Sequence, residues 1–131
     1  MKNEKLIEVA ASVLNPRKVG DRLFGDVGSA LVTKEGNIYK GVCIDTSGVG
    51  FCAEQSAIAA MISAGEERFE KIVAVWKDEK GEIFIIAPCG HCREFMRQTN
   101  EEHMDSEVIL AKEKNPKLKE LLPERDSWKK V

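Results

Sequence analysis

Three thiols and one carboxylate lie in two short stretches of the chain. Cys52 and Glu54 are two residues apart in Phe-Cys-Ala-Glu, and Cys89 and Cys92 are three apart in Pro-Cys-Gly-His-Cys-Arg. The second spacing puts both sulfurs on one face of a first helical turn. A structural zinc site has four protein ligands, whereas a catalytic zinc site keeps three and leaves the fourth position for water. The residue types therefore predict a catalytic zinc site with ligands Cys52, Cys89 and Cys92.

Glu54 is too close to Cys52 in the sequence to bind the same metal comfortably, but it can lean over the open position. Its carboxylate would there take a proton from the water and pass it to a departing nitrogen, provided that it lies within hydrogen-bond reach. Three thiolates weaken the pull of zinc on water, and donors to the sulfurs would offset their charge. Two helix N-termini and the guanidinium of Arg93 are the predicted donors.

The same residues carry a resemblance to a known family. Cys-Ala-Glu at 52–54 and Pro-Cys-Gly-His-Cys-Arg at 88–93 resemble the signature of the zinc-dependent cytidine deaminases. The resemblance covers nearly the whole chain. Within the family it is closest to the blasticidin S deaminase branch, in the spacing of residues 41–54 and in the ending Glu-Leu-Leu-Pro at 120–123 followed by Trp128.

The resemblance implies hydrolytic deamination of a cytosine nucleoside, of the cytidine, deoxycytidine or blasticidin S type, to the uracil product and ammonia. It also implies a homotetramer with composite active sites. Phe24 is expected either to stack on the base or to pack in the core. Trp128 is expected either to form a wall of the pocket or to be an edge-packing residue. Cys43 and Asp45 stand where typical members have Asn-x-Glu, a ribose-binding pair, so Asp45 is a candidate hydroxyl acceptor and the identity of the nucleoside stays open.

Two further residues have a metal-binding alternative. Cys43 is expected to be a small, buried, unliganded thiol rather than a fourth zinc ligand, because a fourth sulfur would close the catalytic position. His91, inside the Cys-x-x-Cys loop, is expected to be exposed or capping rather than a ligand. His103 lies in a charged stretch and is expected at the surface.

Composition excludes several classes of protein. A chain of 131 residues with a net charge of −2 and mixed charges fits one domain, residues 1–131, and has no basic footprint for nucleic acid. No apolar run approaches a membrane span, and the N-terminus lacks the apolar segment of a signal peptide. Four cysteines without such a signal favour metal binding in a reducing compartment, so we expect a cytoplasmic protein.

The order of predicted elements is α-β-β-α-β-β-α-β-α. This order predicts an α/β fold, specifically a three-layer α/β/α sandwich with a mixed five-stranded sheet. Residues 17–28 are predicted to be a loop. The predicted helices are 3–14, 52–64, 90–99 and 116–122, and the predicted strands are 29–33, 38–44, 71–77, 83–87 and 107–111.

Three other interpretations compete with a cytosine nucleoside deaminase. A non-catalytic zinc domain would need a fourth protein ligand, with Cys43 as the only spare thiol, and would leave Glu54 without a task. A nucleic-acid deaminase of the editing type usually has His in place of Cys52 and needs a basic groove for the strand. A deaminase of another aminated heterocycle would keep the whole zinc site and differ only in its substrate.

Overall fold

The computed structural model describes residues 1–131 and contains three α-helices and six strands. Two 3-10 helices follow the last α-helix, at Glu101–Asp105 and Leu118–Leu121. No helix is both long enough and apolar enough to cross a membrane. In chain order the elements are α1 (Asn3–Ser12), β1 (Arg17–Val19), β2 (Arg22–Thr33), β3 (Ile38–Ile44), α2 (Ala53–Ser63), β4 (Phe69–Lys77), β5 (Ile83–Ile86), α3 (Gly90–Thr99) and β6 (Glu107–Val108).

The six strands form one mixed sheet around β2. β3 pairs with one edge of β2, and β1 and β4 share the other edge, with β1 beside residues 22–24 and β4 beside residues 27–33. The far edge of β4 is shared in turn by β5, which is antiparallel to it, and by β6, which is parallel. β4 therefore lies inside the sheet, which explains why Ile72 to Val75 are all buried.

Helices cover both faces of the sheet, as an α/β/α sandwich requires. Side chains on successive residues of a strand point to opposite faces. On β2, Leu31 belongs to the core under α2 and α3, whereas Ala30 and Val32 belong to the core under α1. The predicted three-layer fold and mixed sheet are confirmed, and the first core holds the metal-binding helices.

The prediction of five strands and of a loop over residues 17–28 is wrong. Arg17–Val19 and the first residues of β2 form a tight hairpin, with Val19 opposite Arg22 and only Gly20 and Asp21 between them. Gly20 has a φ of +65°, which glycine adopts without a steric penalty. β1 is exposed on every residue and shows no apolar alternation, so its pattern did not reveal a strand.

Two smaller predictions also need correction. The last predicted helix, over 116–122, is a single 3-10 turn at Leu118–Leu121. His103, which lies in the 3-10 helix Glu101–Asp105, is fully buried rather than exposed. The ring stacks on Phe69 with centroids 4.0 Å apart, and its Nε2 accepts a hydrogen bond from the Phe69 N–H. His103 is thus a satisfied core residue, and burial lowers its pKa.

Candidate functional site

The N-termini of two helices bring the three predicted ligands together. Cys52 is the N-cap of α2, and Cys89 is the N-cap of α3, directly after β5 and Pro88. Cys92 lies in the first turn of α3 and is fully buried. The three Sγ atoms all lie within 4.8 Å of one another, so residues separated by up to forty positions in the sequence form one thiol cluster.

The thiol cluster fits a zinc ion. Tetrahedral zinc with Zn–S distances of about 2.3 Å holds its sulfurs about 3.8 Å apart. Sulfurs within 4.8 Å reach that spacing by small rotations of their side chains. Cys43 lies outside the cluster, since its thiol donates to the Asp26 carboxylate at 3.1 Å. The donor set is therefore three thiols, and one tetrahedral position is left for a non-protein ligand.

The thiols differ in their electrostatic environment. Burial acts to raise the pKa of the Cys89 thiol, but hydrogen bonds, with that of the Cys92 backbone N–H the largest, outweigh burial and lower it. Burial, and then the charge of Glu54, raises the pKa of the Cys92 thiol, and burial also raises that of Cys52. Only thiolates bind zinc, so the helix N-termini favour the ligand form where their N–H groups point at sulfur.

Glu54 occupies the first turn of α2 and is 4% exposed. It lines a cavity of about 150 Å³ together with Cys52 and Cys89, and the other walls are Val27, Cys43, Ala53, Ile86 and Ala87. Burial raises the pKa of the Glu54 carboxyl above its ordinary value. A buried carboxyl group therefore shares a small, mostly apolar cavity with the open side of the thiol cluster.

Gln55 and His91 connect the two ligand-bearing helices. The Gln55 side-chain oxygen accepts a hydrogen bond from the Cys52 N–H at 3.0 Å, and its amide nitrogen lies 3.0 Å from Nε2 of His91. His91 is exposed, and its ring lies against Gln55 rather than in the thiol cluster. This contact between α2 and α3 has no signal in the sequence, because the two residues are 36 positions apart.

Arg93 lies elsewhere than predicted. Its Nε donates to the Pro88 carbonyl at 2.9 Å and its Nη1 to the Leu121 carbonyl at 3.4 Å, so its hydrogen bonds go to backbone oxygens and not to a cysteine sulfur. The prediction that Arg93 donates to a cysteine sulfur is therefore wrong. The guanidinium instead fixes the chain just before Cys89 and ties the C-terminal segment to α3.

β3 sets the position of α2, and hence of Cys52 and Glu54. A β-carbon added to Gly41 would lie 2.3 Å from Cβ of Ser56, so the helix approaches the strand as closely as a glycine allows. The Ser56 hydroxyl also donates to the Val42 carbonyl at 2.7 Å. These two contacts fix the height of α2 above the sheet.

A larger cleft of about 340 Å³ adjoins the cavity that contains Glu54. The two share Val27, Cys43 and Cys52. Asp45 lines the cleft, and its contact with a substrate stays a prediction. Asp26, which the sequence did not single out, lines it as well. The remaining lining residues are Ile44, Thr46, Gly50 and Phe51.

The two aromatic candidates lie away from these cavities. Phe24 is a half-buried residue of β2, opposite Ile44, and it lines neither cavity. Trp128 is 88% exposed near the C-terminus and lines neither of them. Within one chain the structure does not bring either ring to the thiol cluster, and their contact with a substrate stays a prediction.

Comparison with known proteins places this site in a family. The sequence model described as "Cytidine and deoxycytidylate deaminase zinc-binding region" matches residues 1–107. The chain belongs to this deaminase family. The match spans the three α-helices and the first five strands, and it includes the three cysteines and Glu54.

Relatives within the deaminase family include two kinds of enzyme. A probable cytidine deaminase of Dictyostelium discoideum is 39% identical over 88 residues, 66% of this chain and 55% of that one. A blasticidin-S deaminase of Bacillus cereus is 41% identical over 76 residues, 53% of this chain and 54% of that one. The chain thus spans about half the length of the curated relatives it matches.

Solved structures agree with the fold. The cytidine deaminase of Burkholderia pseudomallei superposes with a TM-score of 0.73 at 28% identity, over 98% of this chain and 100% of that one. The resemblance to the zinc-dependent cytidine deaminases is therefore confirmed for the fold, the family and its zinc-binding region.

Proposed function

We propose that this protein is a zinc-dependent hydrolase that converts the cytosine ring of a nucleoside to uracil and releases ammonia. The observation that carries the proposal is the position of Glu54, a buried carboxyl group in the same small cavity as Cys52 and Cys89. A merely structural zinc site has no use for such a group, because removing a carboxyl group from water costs free energy. Membership of the deaminase family supports the same reaction.

The proposed reaction assigns one task to each group. When bound by Cys52, Cys89 and Cys92, zinc supplies a water molecule acidic enough to act as a nucleophile near neutral pH. The Glu54 carboxylate would accept a proton from that water and give it to the ring nitrogen next to the amino-bearing carbon, while the water oxygen forms a bond to that carbon. The second proton, taken from the new hydroxyl group and relayed through the same carboxyl group, would go to the amino group; the carbon–nitrogen bond breaks, ammonia leaves, and the carbonyl group of the uracil product forms.

The cavity walls suit this role of Glu54. Val27, Ala53, Ile86 and Ala87 surround the carboxyl group with apolar atoms. The flat faces of a pyrimidine need apolar walls of this kind.

The substrate and the assembly are part of the same proposal. We infer a small-molecule nucleoside rather than a nucleic acid, because the chain has a net charge of −2 with acidic and basic residues mixed along it. Asp45 in the cleft contacts the sugar, and Phe24 and Trp128 close the pocket in the assembled protein. Exposed, stacked rings of Trp76 and Phe84, with centroids 5.7 Å apart, provide apolar surface for the proposed homotetramer. Residues 1–131 form one domain, and its free thiols suit the cytoplasm.

An ultraviolet deamination assay on zinc-loaded protein tests the proposed function. Cytidine, deoxycytidine and blasticidin S are offered separately, and the loss of absorbance that accompanies conversion of the amino group is followed. We expect turnover of at least one of the three. Turnover of cytidine would assign ribose recognition to Asp45, and turnover of blasticidin S alone would place the protein with the resistance enzymes. A zinc-replete sample that deaminates none of them would contradict the proposed substrate class.

A further inference from the structure

The N-terminus of α3 carries two thiols in the spacing of a redox dithiol. Cys89 is the N-cap of the helix and is exposed, whereas Cys92 lies in its first turn and is fully buried. A Cys-x-x-Cys pair at a helix N-terminus is an arrangement in which two cysteines interconvert between a dithiol and a disulfide. Disulfides in reducing compartments are usually transient and serve catalysis or redox sensing. The two residues therefore have a second chemistry besides zinc binding.

The sulfurs of this pair lie close together. The Cys92 N–H donates to Sγ of Cys89 at 3.4 Å, so the Cys89 side chain folds back over the first turn of the helix. The two Sγ atoms lie within 4.8 Å of each other, and a disulfide bond of about 2.05 Å requires them to approach by less than about 3 Å. No atom lies within 4 Å of a β-carbon added to Gly90, so the turn between the two cysteines has room to tighten. Joining the sulfurs therefore needs adjustments within one helical turn only.

Cys52 is less suited to a disulfide, although its sulfur also lies within 4.8 Å of the other two. It precedes α2, and contacts with β3 hold that helix in place. A β-carbon on Gly41 would lie 2.3 Å from Cβ of Ser56, and the Ser56 hydroxyl donates to a backbone carbonyl of β3 at 2.7 Å. A bridge from Cys52 would have to draw α2 and α3 together against these contacts. A bridge between Cys89 and Cys92 leaves both helices in place.

The difference in exposure sets the order in which the two thiols react. Solvent reaches Cys89 and does not reach Cys92, so an oxidant attacks at Cys89 first and Cys92 resolves the product. We propose that Cys89 and Cys92 form a redox-active site, which hydrogen peroxide or an organic hydroperoxide converts to a disulfide in the zinc-free chain, and that this disulfide reversibly blocks zinc loading. The inference goes beyond the proposed deamination and requires no nucleoside.

The oxidation consumes one peroxide per chain. The Cys89 sulfur attacks one oxygen of hydrogen peroxide, the oxygen–oxygen bond breaks, and a sulfenic acid and one water molecule form. The Cys92 sulfur then attacks the Cys89 sulfur, the sulfur–oxygen bond breaks, and the disulfide and a second water molecule form. The two thiols thereby lose two electrons and two protons, which reduce the peroxide to two water molecules. A dithiol reductant returns the electrons and protons by thiol–disulfide exchange.

Zinc and the disulfide exclude each other. Zinc binds thiolates, and a disulfide offers none. Oxidation therefore leaves Cys52 as the single thiol of the cluster. Cys43 lies outside the cluster and does not replace the lost ligands, since its thiol donates to the Asp26 carboxylate at 3.1 Å. Bound zinc in turn holds both sulfurs of the pair and protects them from the peroxide. Zinc loading of this chain thus depends on the redox state of one Cys-x-x-Cys pair.

Peptide mapping identifies the bridge. Full-length protein is stripped of zinc with a chelator, treated with hydrogen peroxide, alkylated and digested with trypsin. Trypsin cleaves after Lys and Arg, so the Cys-x-x-Cys pair falls in one peptide, 81–93, and Cys43 and Cys52 fall in another, 41–68. We expect peptide 81–93 to lose two hydrogen atoms and to stay unalkylated, and peptide 41–68 to carry two alkyl groups. The two peptides joined by a disulfide as the main product, or thiols of the pair oxidised to sulfinic acids without a disulfide, would overturn the proposal.

Zinc content provides the second measurement. The oxidised protein should bind less than about one tenth of a zinc ion per chain, and treatment with dithiothreitol should restore about one. Zinc-loaded protein should form the disulfide at least about tenfold more slowly than zinc-free protein, because only the zinc-free fraction reacts. Oxidised protein that still binds about one zinc ion per chain would contradict the inference.

Cys52→Ala and Cys92→Ala are matched variants, because each removes one thiol of the cluster. Cys52→Ala should retain the mass loss in peptide 81–93. Cys92→Ala should abolish it, and Cys89 should then be oxidised further to a sulfinic acid. The mass loss in peptide 81–93 should therefore depend on Cys92 and not on Cys52, and the reverse dependence would overturn the proposal. These measurements need no turnover, so the redox site and the proposed deamination fail independently of each other.

Discussion

Gly41→Ala tests whether the contact between β3 and α2 sets the geometry of the metal site. Ala is the better residue on local grounds, because replacing a compatible glycine usually stabilises a protein by about 0.4–1 kcal/mol. Here the new Cβ would lie 2.3 Å from Cβ of Ser56 and 2.8 Å from the backbone N of Ala57. Carbon atoms pack at about 3.5–4.0 Å, so α2 must retreat by more than about 1 Å.

The size of this clash decides whether Gly41→Ala stabilises or destabilises the protein. A clash at 2.3 Å belongs at the upper end of the cost of overpacking, about 3 kcal/mol, and the local gain from Ala offsets about 0.4–1 kcal/mol of it, which leaves a net cost of about 2 kcal/mol. An unfolding entropy of about 2.1 cal/mol/K per residue gives about 4 °C per kcal/mol for 131 residues, so we expect a loss of about 8 °C in melting temperature. Zinc sites tolerate errors of about 0.2 Å in ligand distance, and a displaced Cys52 should also weaken zinc binding.

Scanning calorimetry of the metal-free protein measures the change in melting temperature, and competition with a chromogenic chelator measures the change in zinc affinity. Gly90→Ala is the matched control, since no atom lies within 4 Å of its added Cβ and its φ is not positive. It should leave both quantities nearly unchanged although Gly90 adjoins Cys89. An unchanged or higher melting temperature for Gly41→Ala, together with unchanged zinc affinity, would refute the geometric reasoning.

Further predictions concern the core, the chain before Cys89 and the C-terminal segment. Burial, and then the charge of Arg68, lowers the pKa of His103, so the native state resists protonation of this ring. The contribution of His103 to stability should therefore fade as the pH drops below about 6.5, the ordinary pKa of histidine. Urea midpoints measured from pH 7.5 to 5.5 should fall more steeply in the wild type than in His103→Gln. Arg93→Met should lower stability by about 1–3 kcal/mol, because two backbone carbonyls lose a charged donor, and it should also weaken zinc binding. Urea unfolding measures the first effect and chelator competition the second. A variant as stable as the wild type would contradict this prediction. Leu118→Ala should lower stability by about 2–5 kcal/mol, since the Leu118 side chain is fully buried. Trp128→Ala should lower it by less than about 0.5 kcal/mol, since Trp128 is 88% exposed. Similar urea midpoints for the two variants would contradict this contrast.

The sequence was most informative where function depends on local spacing. Cys89 and Cys92 sit on one helical turn, and Cys52 and Glu54 on another, so four residues and two helix starts predict a compact zinc site without knowledge of the sheet. The structure brings those three sulfurs within 4.8 Å of one another. The strands that precede the two turns are apolar runs, and their order correctly predicted the layers of the fold.

Long-range contacts explain what sequence reasoning missed. Asp26 belongs to the cleft only because β2 pairs with β3 and β4, which brings Cys43 and Trp76 to its two oxygens. His103 lies among charged residues in the sequence, and its burial depends on Phe69, 34 positions away. No pattern of period two or 3.6 contains such information.

The β1–β2 hairpin is a different case, because a local signal existed. Gly20-Asp21 is a two-residue turn of a type that favours hairpins. The flanking Arg17–Val19 segment is exposed throughout, and its apolar pattern is too weak to predict a strand. Turn chemistry was the better indicator at this point of the chain.

Zinc content and deamination rate, determined on the same preparation of Glu54→Gln, test the central claim most directly. The substrate is whichever nucleoside the wild type deaminates. Removing a general acid–base group costs about 10²–10⁴-fold in rate, and Glu54 lies outside the thiol cluster. We therefore predict about one zinc per chain, as in the wild type, with turnover reduced by at least about a hundredfold. Retained zinc with wild-type turnover would contradict the assignment of Glu54 as the residue that moves the proton.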